Sequence, residues 1–152
     1  MSRISNINNS AREEYIVSVL SRETGLEGKV TPDLAVFDFL LFDDRDYRII
    51  GEIKTRTDFY QEWFVADHKI DWLLKANETF RCTPWFVIYC LEDKMIYRLN
   101  LYDDYEYESV TRTNRYSTGN QTDKGRDIPL KYWERIDPNS SPNGGITSIQ
   151  IK

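Results

Sequence analysis

The apolar runs Val36-Phe-Asp-Phe-Leu-Leu-Phe42 and Arg48-Ile-Ile-Gly-Glu-Ile-Lys-Thr-Arg56 lie on either side of a short polar turn, residues 43–47. Aromatic and β-branched residues flanking such a turn predict a β-hairpin. If the turn is symmetric, it sets three opposed pairs: Phe42 with Arg48, Leu40 with Ile50, and Asp38 with Glu52. The hairpin therefore predicts two carboxylates that face each other on one side of a sheet.

Opposed carboxylates need a compensating charge. The Cβ atoms of such a pair lie about 5 Å apart, and two negative charges at that distance repel by about 3 kcal/mol at an effective dielectric of ~20. A Mg²⁺ ion would offset this, because it is held by one or two carboxylates together with waters and substrate phosphate oxygens. Lys54 shares the face of Glu52, where it could orient or deprotonate a nucleophilic water and stabilise charge on a phosphate.

Two alternatives stay open for this hairpin. Asp38 and Glu52 could be ordinary residues of a solvent-facing strand with Lys54 as their ion-pair partner, although two apolar side chains on the same face argue against this. The literal Pro-Asp pair of the chain is Pro32-Asp33, so Asp33 rather than Asp38 could be the metal ligand. Mirror pairing favours Asp38, because Asp33 lies beyond the paired region.

An amphipathic helix is predicted from Ala11 to about Glu23, ahead of the hairpin. Ser10 and Glu13 make a capping box at its start, and Gly25 suits its end. Glu13 lies at the edge of the apolar stripe. It could supply a further carboxylate to the hairpin site, or do no more than close the capping box.

A second helix is predicted from Asp67, as its N-cap, to about Asn77. Further strands are predicted at residues 29–31, 85–91 and 95–101. With the hairpin, this gives the order helix, three strands, helix, two strands. The four Trp residues are assigned to core and subcore packing: Trp63, Trp72, Trp85 and Trp133.

A length of 152 residues suits a single domain, with a core at about 11–101 and a peripheral C-terminal extension at 102–152. Two Cys and one His cannot make a four-ligand zinc site, and no nucleophile elbow or phosphate loop is present. No apolar run approaches the ~20 residues that span a bilayer. The N-terminus lacks the apolar core of a signal peptide, so we expect a cytoplasmic protein without a membrane partner.

The pattern Glu13, Asp38 and Glu52-Ile53-Lys54 resembles the PD-(D/E)xK nuclease superfamily, most closely its small Holliday-junction-resolvase-type endonucleases. The runs Glu13-Glu-Tyr-Ile-Val-Ser-Val-Leu20 and Trp63-Phe-Val-Ala-Asp-His-Lys69 are similar to segments of those enzymes. The resemblance implies an α/β, restriction-endonuclease-like αβββαβ core with a central mixed sheet flanked by helices. It covers about residues 11–101.

The same resemblance implies Mg²⁺-dependent hydrolysis of DNA, with Mn²⁺ able to substitute. The implied metal ligands are Asp38, Glu52, Glu13 and the backbone carbonyl of Ile53. A residue near the start of the second helix approaches the metal in such enzymes. Lys69 or His68 would take that position here, although either could instead be a surface residue.

The charge distribution is uneven. The net charge is −5, which on its face argues against a polyanionic partner. Residues 92–108 carry six acids and two bases, whereas residues 111–135 carry six bases and three acids. Divalent ions bound by the hairpin carboxylates would reverse the negative charge around that site. Because residues 111–135 are net positive and Arg56 lies just beyond the hairpin motif, we expect DNA contacts from five cations: Arg56, Arg112, Arg115, Lys124 and Arg126. The alternative for the second segment is a plain solvated loop.

The leading functional prediction is thus a metal-dependent endodeoxyribonuclease that hydrolyses DNA. Its finer form is a homodimer that acts on branched DNA. The rival is a module with a nuclease fold that has lost catalysis and serves DNA binding, regulation or protein interaction.

Overall fold

The structure is a computed structural model that describes residues 3–31, 37–113 and 122–140, with side chains from Ser10 onward. Its elements follow in chain order: α1 (Arg3–Thr24), β1 (Glu27–Val30), β2 (Phe39–Phe42), β3 (Tyr47–Arg56), β4 (Glu62–Ala66), α2 (Asp67–Phe80), β5 (Thr83–Cys90), β6 (Met95–Asn100), β7 (Glu108–Thr113), β8 (Thr122–Pro129), a 3-10 turn (Leu130–Tyr132) and β9 (Glu134–Ile136). No helix within these ranges is long and apolar enough to cross a bilayer.

Six strands form a central sheet in the order β1-β2-β3-β5-β6-β9. β3 and β5 run parallel and all other neighbours run antiparallel, so the sheet is mixed. The buried face of α1 packs on one side of it, against residues such as Ile49 and Ile53. α2 packs on the other side, against residues such as Ile50 and Ile88. Leaving out β4, the core order is αβββαβ, which confirms the predicted α/β architecture.

The hairpin of β2 and β3 forms as predicted, but its turn is not symmetric. Leu40 pairs with Ile50, as expected, whereas Phe42 pairs with Tyr47 instead of Arg48 because the register shifts between Leu41 and Phe42. The Asp43 carboxylate causes the tighter turn: it accepts the N–H groups of both Arg45 and Asp46 at 3.0 Å. Pairing continues in the predicted register as far as Phe39 and Gly51, and the ladder ends there, one residue before the predicted pair of Asp38 and Glu52.

Gly51 allows β2, β3 and β5 to approach closely beside Glu52. A Cβ atom at this position would lie 2.3 Å from a carbon of the Phe39 ring and 2.7 Å from the backbone oxygen of Trp85. Because no side chain fits between these groups, any larger residue would push the strands apart next to the candidate site.

The first helix is longer than predicted. α1 begins at Arg3 rather than Ala11, since residues 3–10 contain no Pro or Gly to end it. Ser10 therefore lies inside the helix, and the predicted capping box with Glu13 is wrong. The predicted end is confirmed: Gly25 adopts a φ of +75°, and its N–H donates to the Ser21 carbonyl at 2.9 Å.

The start of the second helix follows directly from β4. Ala66 is the N-cap and no side chain caps the helix, so the prediction of Asp67 as N-cap is wrong. No turn separates strand from helix, and the Asp67 carboxylate instead lies 3.5 Å from the Arg126 guanidinium. The helix continues three residues past Asn77 and ends at Phe80, and its C-cap Arg81 takes a left-handed φ of 55°.

The chain after Tyr102 contributes to both sheets. β8 lies between β4 and β7 in a three-stranded antiparallel sheet, and β9 adds the sixth strand to the central sheet. Ile128 and Trp133 are buried in the core on the α2 side, and Ile136 in the core on the α1 side. The described part of the predicted extension thus adds strands to both sheets and buried residues to the core.

Candidate active site

Asp38 lies one residue before β2, at the point where the β2–β3 ladder ends. Its backbone N–H donates to the Gly51 carbonyl at 2.7 Å, and its carboxylate accepts the N–H of Ile53 at 2.8 Å. The hydrogen bond fixes the Asp38 carboxylate beside Glu52. Because the N–H and C=O groups of a strand residue face the same neighbouring strand, the Ile53 carbonyl is directed to the Asp38 side of β3.

Glu52 lies on the face of β3 that α2 covers, and it is only 4% exposed. Two ammonium groups approach its Oε2 atom: Lys69 Nζ from α2 at 3.1 Å and Lys54 Nζ from the same strand at 3.8 Å. The side chains of Lys54 and Lys69 are 37% and 23% exposed. A buried carboxylate is not an ordinary solvent-face residue, so that alternative does not hold for Glu52.

Burial is the main cause that raises the pKa of Glu52 above its usual range, and the negative charge of Asp38 raises it further. Lys69 and Lys54 oppose these two effects and only partly offset them. The ionised carboxylate is therefore disfavoured in the metal-free fold. The unfavourable free energy of ionising Glu52 in the metal-free fold would be offset by a bound cation.

The raised pKa predicts how metal-free stability varies with pH. A carboxyl group whose folded pKa exceeds its unfolded value contributes stability below the unfolded pKa, and this is lost as pH rises through the folded value. The usual value is 4.5. We expect Glu52→Gln to match the wild type in melting temperature near pH 4 and to exceed it at pH 7. Thermal unfolding in EDTA across this range measures the difference, and a wild type that is the more stable protein at pH 7 would contradict the prediction.

Glu13 lies at the same end of the sheet as Lys54, on the helix that covers the opposite face. The Tyr15 ring contacts the Tyr89 ring edge-on at 6.3 Å, and Tyr89 pairs with Thr55 in β3. Glu13, two residues before Tyr15 and half-buried, is therefore placed near the end of β3. Within the ranges that the structure describes, no three His, Cys, Asp or Glu side chains form a cluster suited to a metal ion.

The donor set nevertheless fits a hard divalent cation. Mg²⁺ usually keeps several waters and takes only one or two protein carboxylates, and Asp38 and Glu52 supply two next to a strand carbonyl. The site has oxygen ligands and no soft ligand, since both cysteines are buried elsewhere in the fold. The alternative ligand Asp33 lies outside the described residues.

The first turn of α2 faces the site through Lys69. His68 is exposed and lies against the Trp72 ring, with centroids 5.0 Å apart, while Lys69 Nζ lies 5.2 Å from the centre of the same ring. Lys69 thus touches both Glu52 and Trp72. Lys69, rather than His68, occupies the place near the carboxylates.

Trp72 was missed as a candidate residue by sequence analysis. Three of the four tryptophans are buried as predicted, but Trp72 is 45% exposed, so its assignment to the core is wrong. The signal was present, because Ile70 and Leu73 define the buried stripe of α2 and position 72 falls off that stripe.

The predicted DNA-binding cations are not gathered into one patch. Arg112 pairs with Asp127 and lies over the Phe64 ring, on one face of the three-stranded sheet. Arg126 lies on the other face, 3.5 Å from Asp67 and 2.9 Å from the Tyr105 hydroxyl group. In a strand, residues two apart share a face, so exposed Lys124 is on the Arg126 side. Arg56 ends β3, two residues beyond Lys54, and Arg115 lies outside the described residues.

Comparisons with known proteins agree with this architecture. No family model matches the chain, and no curated protein matches it in sequence. Among solved structures, it is similar to Hjc, a Holliday junction resolvase from the archaeal hyperthermophile Archaeoglobus fulgidus, with a TM-score of 0.53 and 12% sequence identity. The match covers 80% of this chain and 89% of that chain. It shows a shared fold and confirms the prediction of a restriction-endonuclease-like central mixed sheet flanked by helices.

Proposed function

We propose that this protein is a metal-dependent endodeoxyribonuclease that hydrolyses DNA phosphodiester bonds. The observation that carries the proposal is the buried Glu52 carboxylate, which lies beside Asp38 and within reach of two lysines. Such an unfavourable arrangement of charge is typical of sites built for a cation and a phosphate. Its occurrence on a fold shared with a Holliday junction resolvase supports nuclease chemistry.

Asp38, Glu52 and the Ile53 carbonyl would hold Mg²⁺ or Mn²⁺. Glu13 does not form a three-carboxylate cluster with Asp38 and Glu52 in the metal-free fold, and it is proposed only as a further carboxylate that α1 would bring toward the bound ion. When bound, the ion supplies Lewis-acid stabilisation of charge on the phosphate and a more acidic water. The protein's own contribution is positional. The hydrogen bond from Ile53 keeps Asp38 in place, and the covering helix limits access of water to Glu52.

We assign different roles to Lys69 and Lys54. Lys69 is the more buried and the closer to Glu52, so we assign it to orienting that carboxylate. Lys54 is more exposed and lies farther from Oε2, which leaves its ammonium group accessible to substrate. We assign Lys54 to orienting the attacking water and to stabilising negative charge on the phosphate.

DNA would extend from this site along positively charged side chains. Arg56 follows Lys54 on β3, and Lys124 is exposed on β8. Arg126 ties β8 to the start of α2 through Asp67, so the three-stranded sheet is coupled to the helix that carries Lys69. Arg112 would contact phosphate at the cost of its pair with Asp127, and Arg115 is proposed from its sequence alone.

Branched DNA is the proposed substrate, by analogy with the resolvase that shares the fold. A four-way junction is cut symmetrically only by two active sites, so a junction-cleaving form would be a homodimer with two-fold symmetry.

The proposal is tested by mixing the purified protein with labelled four-way-junction, linear duplex and single-stranded DNA in Mg²⁺, Mn²⁺ or EDTA. We expect cleavage of at least the branched form in either metal and none in EDTA. Absence of cleavage in every combination would leave the rival function, a nuclease-fold module that binds DNA or a regulatory partner without cutting. The acidic surface of residues 92–108 is the feature that favours this rival.

A further inference from the structure

Trp72 stands out because a tryptophan is left half-exposed beside a buried ion pair. Among the described residues, its ring contacts the His68 ring, with centroids 5.0 Å apart and an interplanar angle of 75°, and the Lys69 ammonium group, 5.2 Å from the ring centre. Both partners belong to the turn of α2 that precedes Trp72. The ring is therefore held in place by its own helix while 45% of the residue remains open to solvent.

The position of the ring relative to the carboxylates can be bounded. Lys69 Nζ is 3.1 Å from Glu52 Oε2 and 5.2 Å from the Trp72 ring centre, so the ring centre lies within about 8 Å of that oxygen. A stacked strand advances about 3.4 Å per nucleotide. A phosphate that contacts a cation held by Glu52 would thus place the base of a nucleotide one or two steps away within reach of Trp72.

We propose that Trp72 is a binding residue that stacks on an unpaired nucleobase next to the phosphate that is cut. Exposed aromatic rings bind bases through stacking, and every base offers a suitable face. Inside a continuous duplex both faces of a base are covered by neighbouring pairs, so only a nucleotide at a branch point, a gap or a single strand can use the ring. This inference rests on the proposed nuclease function and narrows its substrate to DNA with unpaired nucleotides at the cut.

The test compares binding of 2-aminopurine-labelled single-stranded, branched and fully duplex DNA to the full chain in EDTA at low salt, where DNA is not cut. We expect Trp72→Ala to lose about 5- to 150-fold in affinity for the single-stranded and branched forms, the range for one base–aromatic stack. Duplex affinity should stay within about twofold of the wild type. Trp72→Phe should keep most of the binding, and quenching of 2-aminopurine should disappear only in the alanine variant.

Tyr47→Ala is the matched control. Tyr47 is 49% exposed and lies five residues before Glu52 on β3, about 17 Å away at the usual rise per residue, so its loss should leave all three affinities unchanged. Equal affinities of Trp72→Ala and wild type, or an equal loss for duplex and unpaired DNA, would overturn the stacking role. A wild type that neither binds nor cuts any DNA form would instead overturn the proposed function itself.

Discussion

We expect Glu52→Gln to lower the rate of DNA cleavage by about 10³-fold or more. The substitution keeps the shape of the side chain but removes one of the two charges that are proposed to hold the cation, and it leaves Lys69 and Lys54 without the carboxylate they approach. Loss of about 4 kcal/mol of transition-state stabilisation corresponds to that factor. Single-turnover cleavage of labelled branched DNA in Mg²⁺ measures it.

Glu78→Gln provides the control for this variant, because Glu78 is an exposed acid on α2 and its loss should leave the rate unchanged. Loss of activity through misfolding is distinguished by thermal unfolding, since Glu52→Gln is expected to be at least as stable as the wild type at pH 7. If Glu52→Gln cleaves DNA within about threefold of the wild-type rate, Glu52 is not part of the active site.

We expect Lys54→Met to lower the cleavage rate by about 10²- to 10⁴-fold, the range for loss of a positioned proton-transfer or charge-stabilising group. Methionine keeps the length and the apolar stem, so packing on β3 changes little. The expected effect is on the rate at saturating protein, with DNA affinity nearly unchanged. A lower rate with unchanged affinity would show that Lys54 acts in the chemical step and not in holding the DNA backbone.

Lys75→Met is the matched control, as Lys75 is an exposed lysine of α2 outside the site. If Lys54→Met cuts as fast as Lys75→Met, the ammonium group of Lys54 takes no part in the reaction. If both lose affinity for DNA to the same degree with no change in rate, Lys54 acts only as a general phosphate contact.

The hairpin of β2 and β3 was predictable because its signals are local. Two apolar runs, a polar turn and the period of two place Glu52 and Lys54 on one face without any knowledge of the rest of the fold. The register shift near Phe42 was not predictable, since it depends on which backbone N–H groups the Asp43 side chain captures. The burial of Glu52 was also hidden, because it results from α2 packing over β3.

The three-stranded sheet had no comparable signal. β7 consists of polar and exposed residues with one partly buried valine, Val110, so it has no alternation of apolar and polar positions. Its pairing with β8 is a tertiary effect, as is the separation of Arg112 and Arg126 onto opposite faces. Charge counted along the sequence therefore predicted a basic patch that the fold divides.

The buried carboxylate also explains why stability and function are expected to oppose each other at this site. Desolvation and the nearby Asp38 charge make ionised Glu52 costly in the metal-free protein, and the glutamine that relieves this cost is expected to remove activity. Functional sites commonly carry such locally unfavourable arrangements. Added Mg²⁺ should narrow the difference in melting temperature between the two proteins at pH 7, because it binds only the carboxylate form.

Asp38 and Glu52 are proposed to hold a divalent cation together. Calorimetric titration of Mn²⁺ into the metal-free wild type, Asp38→Asn and Glu52→Gln tests it without any assumption about the DNA. We predict saturable Mn²⁺ uptake by the wild type and an affinity at least about tenfold lower in each variant, as expected when a metal ligand or its close partner is lost. No uptake of Mn²⁺ by the wild type, or equal uptake by all three proteins, would rule out a cation site formed by Asp38 and Glu52.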